Sequence, residues 1–404
     1  MTLVKLARGQ GKKTSEMLFQ PPARNGSSTR SQTRAAAGSL VRSLPVNSGM
    51  DGVRGWKLFY RTASSLDDPI LASGVLLAPT GPWRGRGPRP ILGYGSEVYG
   101  LGPQHAPSGM IAAGTFPEIG QLELALARGW AVAVADGEGH GVGPGPHPYL
   151  AGNSSGHAVL DIVRAAAHTP RAGLSGEAPV GLWGYGEGGR AVAWAAELHR
   201  SYSPEISVRV AVAGGVPADL RACVEAVDGG PYSGLGFAAL IGLSSAHRDV
   251  PLHRILAPAG RAAGRLAENA GMPELLAWFA KPLGYYTIRP DPWNDRLWAT
   301  VLMHEELGHR QPSMPIHLYH GGGDEIVPVR VAQQLYADYR VRGVEVTWTD
   351  IGEATHLQAG RRGAEHAVDQ LAAHLTSGDA GGGWRRDAPH LPSFFDAGNP
   401  PAAS

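Results

Sequence analysis

Residues 178–200 read APVGLWGYGEGGRAVAWAAELHR, and they constrain the fold more tightly than any other stretch of the chain. An apolar strand pattern runs into Gly184-Tyr185-Gly186-Glu187-Gly188-Gly189, and a helical pattern follows at once. A turn that reverses a buried strand straight into a helix needs residues with little side chain, because the backbone is strained and closely packed there. The chain must therefore contain a sheet strand whose C-terminal end meets a helix N-terminus.

The flanking sequence repeats that theme. Short apolar runs such as WKLFYRTA, ASGVLLAP, RPILGYG, WAVAVAD, VRVAVAGGV, IHLYHGGGD and VEVTWTDIG alternate with helical patterns such as SSGHAVLDIVRAAAH and VRVAQQLYADYRVRG. The central runs lack strict polar alternation, as strands covered on both faces do. The expectation is an α/β fold with a doubly wound, mostly parallel sheet and one antiparallel edge. Between about residues 219 and 311 the rhythm stops, and pieces such as PELLAWFAKPLG predict an inserted helical cap. Residues 1–45 read as a flexible basic leader, 46–377 as the α/β domain, and 378–404 as a C-terminal arm that docks through Trp384, Phe394 and Phe395. At 404 residues, the chain suits one large domain with an insertion.

A net charge of +1 gives no electrostatic case for nucleic acid or an anionic membrane. No apolar run is long enough to span a bilayer. Cys223 is the sole cysteine, so an internal disulfide is impossible, and a cytoplasmic address is expected. Oligomeric state is left open.

The chemistry lies in three places along the chain. A strand–turn–helix of this kind usually reads G-x-S-x-G, with a nucleophilic serine at its centre, and here Gly186 holds that position. Asp324 stands just past the run IHLYH and ahead of Val327-Pro328, and His356 follows the run VEVTWTDIG. The order elbow, acid, histidine suits an Asp-oriented imidazole acting as general base.

In these segments the chain resembles the secretory lipases of the α/β-hydrolase superfamily. GYGEGG is similar to their G-Y-S-E/Q-G-G. GHAVLDIVRAA, GGVPADL, GGGDEIVP and THLQAG also fit, over roughly residues 55–375. The resemblance implies an α/β-hydrolase fold and an ester-cleaving ancestry. It also marks departures. His105 stands where the family has a cysteine before A-P-S, and Glu97-Val98 falls on the Gly-Thr pair that serves the oxyanion. A carboxylate there would repel a developing oxyanion unless protonated. Glu97 is thus read as a catalytic candidate beside His356, Asp324 and the nucleophile position Gly186. Ser96, Val98, Tyr99, Tyr185 and Glu187 are expected to bind substrate.

The glycine turn also matches G-x-G-x-x-G, but the next strand, VRVAVAGGV, lacks the terminal acid a dinucleotide site wants. His304 and His309 are five apart and do not share a helical face, so no metal is expected. His140, His147 and Asp136 sit in or beside a glycine-rich loop, as pocket or turn residues. No cofactor is expected.

The favoured function is a non-hydrolytic, His/Asp-assisted reaction on an apolar specialised-metabolism intermediate: loss of an acyloxy group such as acetate, or a cyclisation. The runner-up is a lipase or carboxylic ester hydrolase whose serine has been replaced by Gly186. A non-catalytic binding protein and a nicotinamide-dependent enzyme complete the set.

Overall fold

A computed structural model of the chain describes residues 37–376 except 144, 248 and 251. Among these residues nine strands form one sheet, in the order β1-β2-β3-β5-β4-β6-β7-β8-β9. The strands are β1 Leu40–Val46, β2 Val53–Ala63, β3 Pro69–Pro79, β4 Ile91–Gly95, β5 Ala131–Ala135, β6 Val180–Tyr185, β7 Val208–Gly214, β8 Ile316–His320 and β9 Val346–Asp350. From β1 to β5 the neighbours run antiparallel, and from β5 through β4 to β9 they run parallel. The expected doubly wound, mostly parallel sheet is present.

Its central strands have no polar face because both faces are covered. In β7, Ala211 and Ala213 pack into one hydrophobic layer while Val210 and Val212 pack into the other. The second layer holds α1 (Pro107–Ala112) and α2 (Ile119–Ala127). The first holds α3 (Gly152–Ala167) and α4 (Glu187–Tyr202).

Among the described residues between β7 and β8 lie seven α-helices, α5 (Leu220–Val227), α6 (Ser233–Ala246), α7 (Leu252–Ile255), α8 (Pro258–Ala267), α9 (Met272–Trp278), α10 (Leu283–Tyr286) and α11 (Arg296–His304). They enclose a third core containing Phe237, Leu240, Leu275, Phe279, Tyr286 and Trp298. Helix α6 is apolar nearly all round because it is the centre of this unit. The remaining helices are α12 (Val329–Val341), α13 (His356–Arg362) and α14 (Ala364–Leu375). No helix among the described residues is long and apolar enough to cross a membrane.

Arg190 fastens the helical unit to the sheet. Its fully buried guanidinium donates to the carbonyls of Leu150 (3.1 Å), Pro217 (3.0 Å) and Glu305 (2.6 Å), and to the Glu305 carboxylate (2.9 Å). Glu305 also accepts from the Gly152 N–H at 2.7 Å and lies 2.9 Å from the His247 ring.

One expected boundary is corrected. The leader assigned to residues 1–45 gives way at Leu40 to β1. LVRSLPV shows no apolar alternation and includes Pro45, yet an edge strand has one neighbour only and tolerates both features. Residues 1–36 and the arm at 378–404, with Trp384, Phe394 and Phe395, lie outside the described residues.

Candidate active site

Strand β6 delivers the chain to Gly186, whose φ of 56° and ψ of −122° few side chains allow, and α4 begins at the next residue. A Cβ added to Gly188 would fall 2.0 Å from the Gly95 carbonyl oxygen, so only a glycine lets α4 rest on the end of β4. That close approach lays the loop after β4 across the turn. The Glu97 carboxylate ends directly above Gly186: a Cβ placed on Gly186 would lie 1.6 Å from Glu97 Oε1.

Three loops converge on that carboxylate. Asp324, just beyond β8, has its Oδ1 fixed by the N–H groups of Ile326 (3.0 Å) and Val327 (2.8 Å). Its Oδ2 lies 2.7 Å from His356 Nδ1 and 3.1 Å from His320 Nε2. His356 opens α13, held by a capping box between Thr355 and Gln358, and its N–H donates to the Glu325 carboxylate at 3.0 Å. On the other side of the ring, His356 Nε2 lies 3.4 Å from Glu97 Oε1. Glu97 Oε2 accepts the Glu187 N–H, the first amide of α4, at 3.3 Å. The Glu97 N–H in turn donates to the Glu118 carboxylate at 3.2 Å.

Both imidazole nitrogens face carboxylates, which only the doubly protonated ring can satisfy as donor. Burial alone would lower the His356 pKa, but the hydrogen bonds to Asp324 and Glu97, with their charges, raise it to about 10. Burial would likewise raise Asp324, yet the hydrogen bonds from His320 and His356 hold it well below the usual carboxylate range. In this arrangement His356 has no free lone pair at neutral pH. The carboxylate that faces the cavity beside the imidazole is Glu97.

A cavity of about 260 Å³ opens over the three groups. Glu97, Gly186 and His356 form its floor, and Leu220, Val224, Val227, Leu235, Ala239 and Leu276 supply an apolar roof from the helical unit. Of the expected binding residues, Tyr185, Glu187, Val98 and Tyr99 line this cavity. Ser96 does not. Its backbone rests against Gly188 at the base of the loop, and it lines a smaller cavity of about 50 Å³ behind.

Among the lining residues that were not foreseen are the polar Glu118 and Tyr149. Burial, reinforced by the Glu97 charge, pushes the Glu118 carboxyl well up. Burial raises Glu187 to about 8, against the pull of Arg190. Neither neighbour could be read from residue spacing, because tertiary folding alone brings residues 97, 118, 149 and 187 together.

The remaining candidates have other settings. Asp136 accepts from Ser73, from both the N–H and hydroxyl of Ser108, and lies 3.6 Å from Lys57, so it ties α1 to the sheet. His140 and His147 stack with ring centroids 4.2 Å apart and line the smaller cavity, away from the main one. His304 ends α11, whereas His309 lies beyond it and pairs with Glu306 at 3.2 Å. The leading N–H of α4 already engages the Glu97 carboxylate, so the glycine turn offers a dinucleotide's phosphates a negative charge where they need a donor.

Comparison with known proteins agrees with this architecture. A family model described as Secretory lipase matches residues 112–383. A probable inactive lipase of Mycobacterium tuberculosis is 29% identical over 335 residues, 78% of this chain and 73% of that protein. A secreted triacylglycerol lipase of Malassezia globosa is 30% identical over 220 residues, 52% of this chain and 47% of that protein. The chain thus spans only about half the length of several curated relatives it matches. The crystal structure of Candida antarctica lipase A in its closed state superposes with a TM-score of 0.76, at 23% identity, over 85% of this chain and 83% of that one. At that identity the likeness speaks for the α/β-hydrolase fold alone. The cytoplasmic address expected from the cysteine count is corrected: the family is secretory and the Malassezia relative is secreted, which points outside the cell. A lone cysteine denies the chain a disulfide without setting its compartment. With the family model matched over most of its length, the chain belongs to the secretory lipase family.

Proposed function

We propose that this member of the family works without a serine nucleophile, moving a proton on an apolar small molecule held beneath the helical roof. Gly186 stands in for the nucleophile, and Glu97, His356 and Asp324 do the chemistry. The observation that carries this reading is the Glu97 carboxylate, which fills the space a side chain at 186 would need and meets both His356 and the Glu187 amide. Glu97 takes a proton from carbon, and the electron pair left behind forms a double bond as a C–O bond breaks. The His356 imidazolium protonates the departing carboxylate, so an acyloxy group leaves as the neutral acid. Asp324 stays ionised and steadies the ring. A cyclisation would use the same base and acid. Acid–base help of this kind is worth about 10²–10⁴ in rate.

A β-acetoxy ketone, 4-acetoxy-4-phenyl-2-butanone, is a direct probe because its elimination yields an absorbing enone. The wild-type chain should accelerate that elimination, and Glu97→Gln or His356→Asn should each cut the gain by about 100-fold or more. Hydrolysis of 4-nitrophenyl butyrate should stay at the buffer rate. The opposite pattern, with the aryl ester cleaved and the acetoxy ketone untouched, would sink the reading.

Family membership favours a second reading, an ester hydrolase in which glycine has replaced the serine. Against a single replacement stands Glu97, whose carboxylate must move before any side chain fits at 186. The Mycobacterium tuberculosis relative, named as a probable inactive lipase, keeps a third in view, a binding protein on a hydrolase scaffold.

A further inference from the structure

The cavity floor has an unusual balance of charge. Three carboxyl side chains line it, Glu97, Glu118 and Glu187, and the cationic side chains lining it are His356 and Arg361. His356 directs both ring nitrogens at carboxylates, and Arg361 is exposed at the rim. No lysine is among the lining residues. A fatty-acid carboxylate entering here would meet the Glu97 carboxylate, with Glu118 and Glu187 pushed toward their neutral forms beside it.

Glu187 gives this balance a direction. It is 5% exposed and its Oε2 is buried with no hydrogen-bond partner among the described residues. Such an acceptor is costly to leave unmet. An ammonium group brings three donors and no acceptor, and the apolar roof suits a hydrocarbon body.

We propose that the cavity takes a protonated amine on an apolar body, with the ammonium group seated against Glu187 and the neighbouring Glu97 charge favouring it. This rests on the cavity being the ligand site of the reading above, and it names the substrate class. The charged groups acting on Glu187 are Arg190 on its own helix, Glu97 from the loop after β4 and Glu305 beyond α11, and Arg190 is already paired with Glu305. With Glu187 raised to about 8, it is mostly protonated at neutral pH. An arriving ammonium favours the ionised form, so binding should release a proton.

Isothermal titration calorimetry of the full chain at neutral pH would compare 4-phenylbutylammonium, 4-phenylbutanol and 4-phenylbutyrate, in two buffers of different ionisation enthalpy. The amine should bind about tenfold tighter than the alcohol, with the carboxylate weakest. Its enthalpy should depend on the buffer, reporting the released proton. Glu187→Gln should bring amine and alcohol within about threefold of one another and remove the proton release. If that variant fails to fold, Glu97→Gln should weaken the amine in the same way. Alcohol or carboxylate binding as tightly as the amine overturns the charge assignment and leaves the proton-transfer reading standing. An amine preference that survives in a folded Glu187→Gln chain overturns the seat at Glu187. If none of the three binds, both the proposal and the cavity reading fall.

Discussion

Gly186 and Glu97 are best understood as a pair. Gly186 adopts a positive φ, and the Glu97 carboxylate occupies the volume above it, so each residue permits the other. Gly186→Ser should therefore cost stability twice, through about 1–3 kcal/mol of backbone strain and through displacement of Glu97. Adding Glu97→Gly should recover the second part only. In urea denaturation the two changes should be non-additive by more than about 0.5 kcal/mol, with the double variant more stable than the sum of the singles. Additive effects would show that the carboxylate swings aside freely. The sequence reveals both residues as departures from the family pattern. It cannot reveal that they touch, because the two residues stand 89 positions apart and the pairing of β4 with β6, with Gly188 resting on Gly95, brings them together.

At the scale of elements, what was legible follows from burial. The β4, β6 and β7 runs could be recognised because two covered faces demand apolar residues throughout, and α3, α4 and α12 because each packs apolar residues on the sheet. Strand β1 was missed for the converse reason: an edge strand with little burial leaves almost no pattern in LVRSLPV. The helical unit could be read as an insertion, but its attachment could not. Arg190 looks like an ordinary polar residue on the elbow helix, yet it is fully buried and holds Leu150, Pro217 and Glu305. Arg190→Met would leave the Glu305 carboxylate buried without its cation, and should cost about 3–5 kcal/mol in chemical denaturation. A cost below about 1 kcal/mol would mean that the roof is held by its apolar packing alone.

Seen whole, the molecule brings Glu97 and His356 from separate loops to the floor of one cavity under a helical roof, with Asp324 buried behind the imidazole. Loop position and chain order made Asp324 and His356 legible in advance. The protonation state was not, since it depends on a second carboxylate 259 positions from the imidazole. The central claim is that His356 rests as an imidazolium bracketed by two carboxylates. A group whose folded pKa is raised stays protonated to higher pH than in the unfolded chain, so His356 should keep its proton through neutrality and lose it only near pH 10. Nitrogen-15 NMR of the labelled imidazole across a pH titration measures this directly. A doubly protonated ring is expected well above neutral pH in the wild type, with a lower midpoint in Glu97→Gln. A wild-type midpoint near the ordinary histidine value of about 6.5, unmoved by Glu97→Gln, would contradict it.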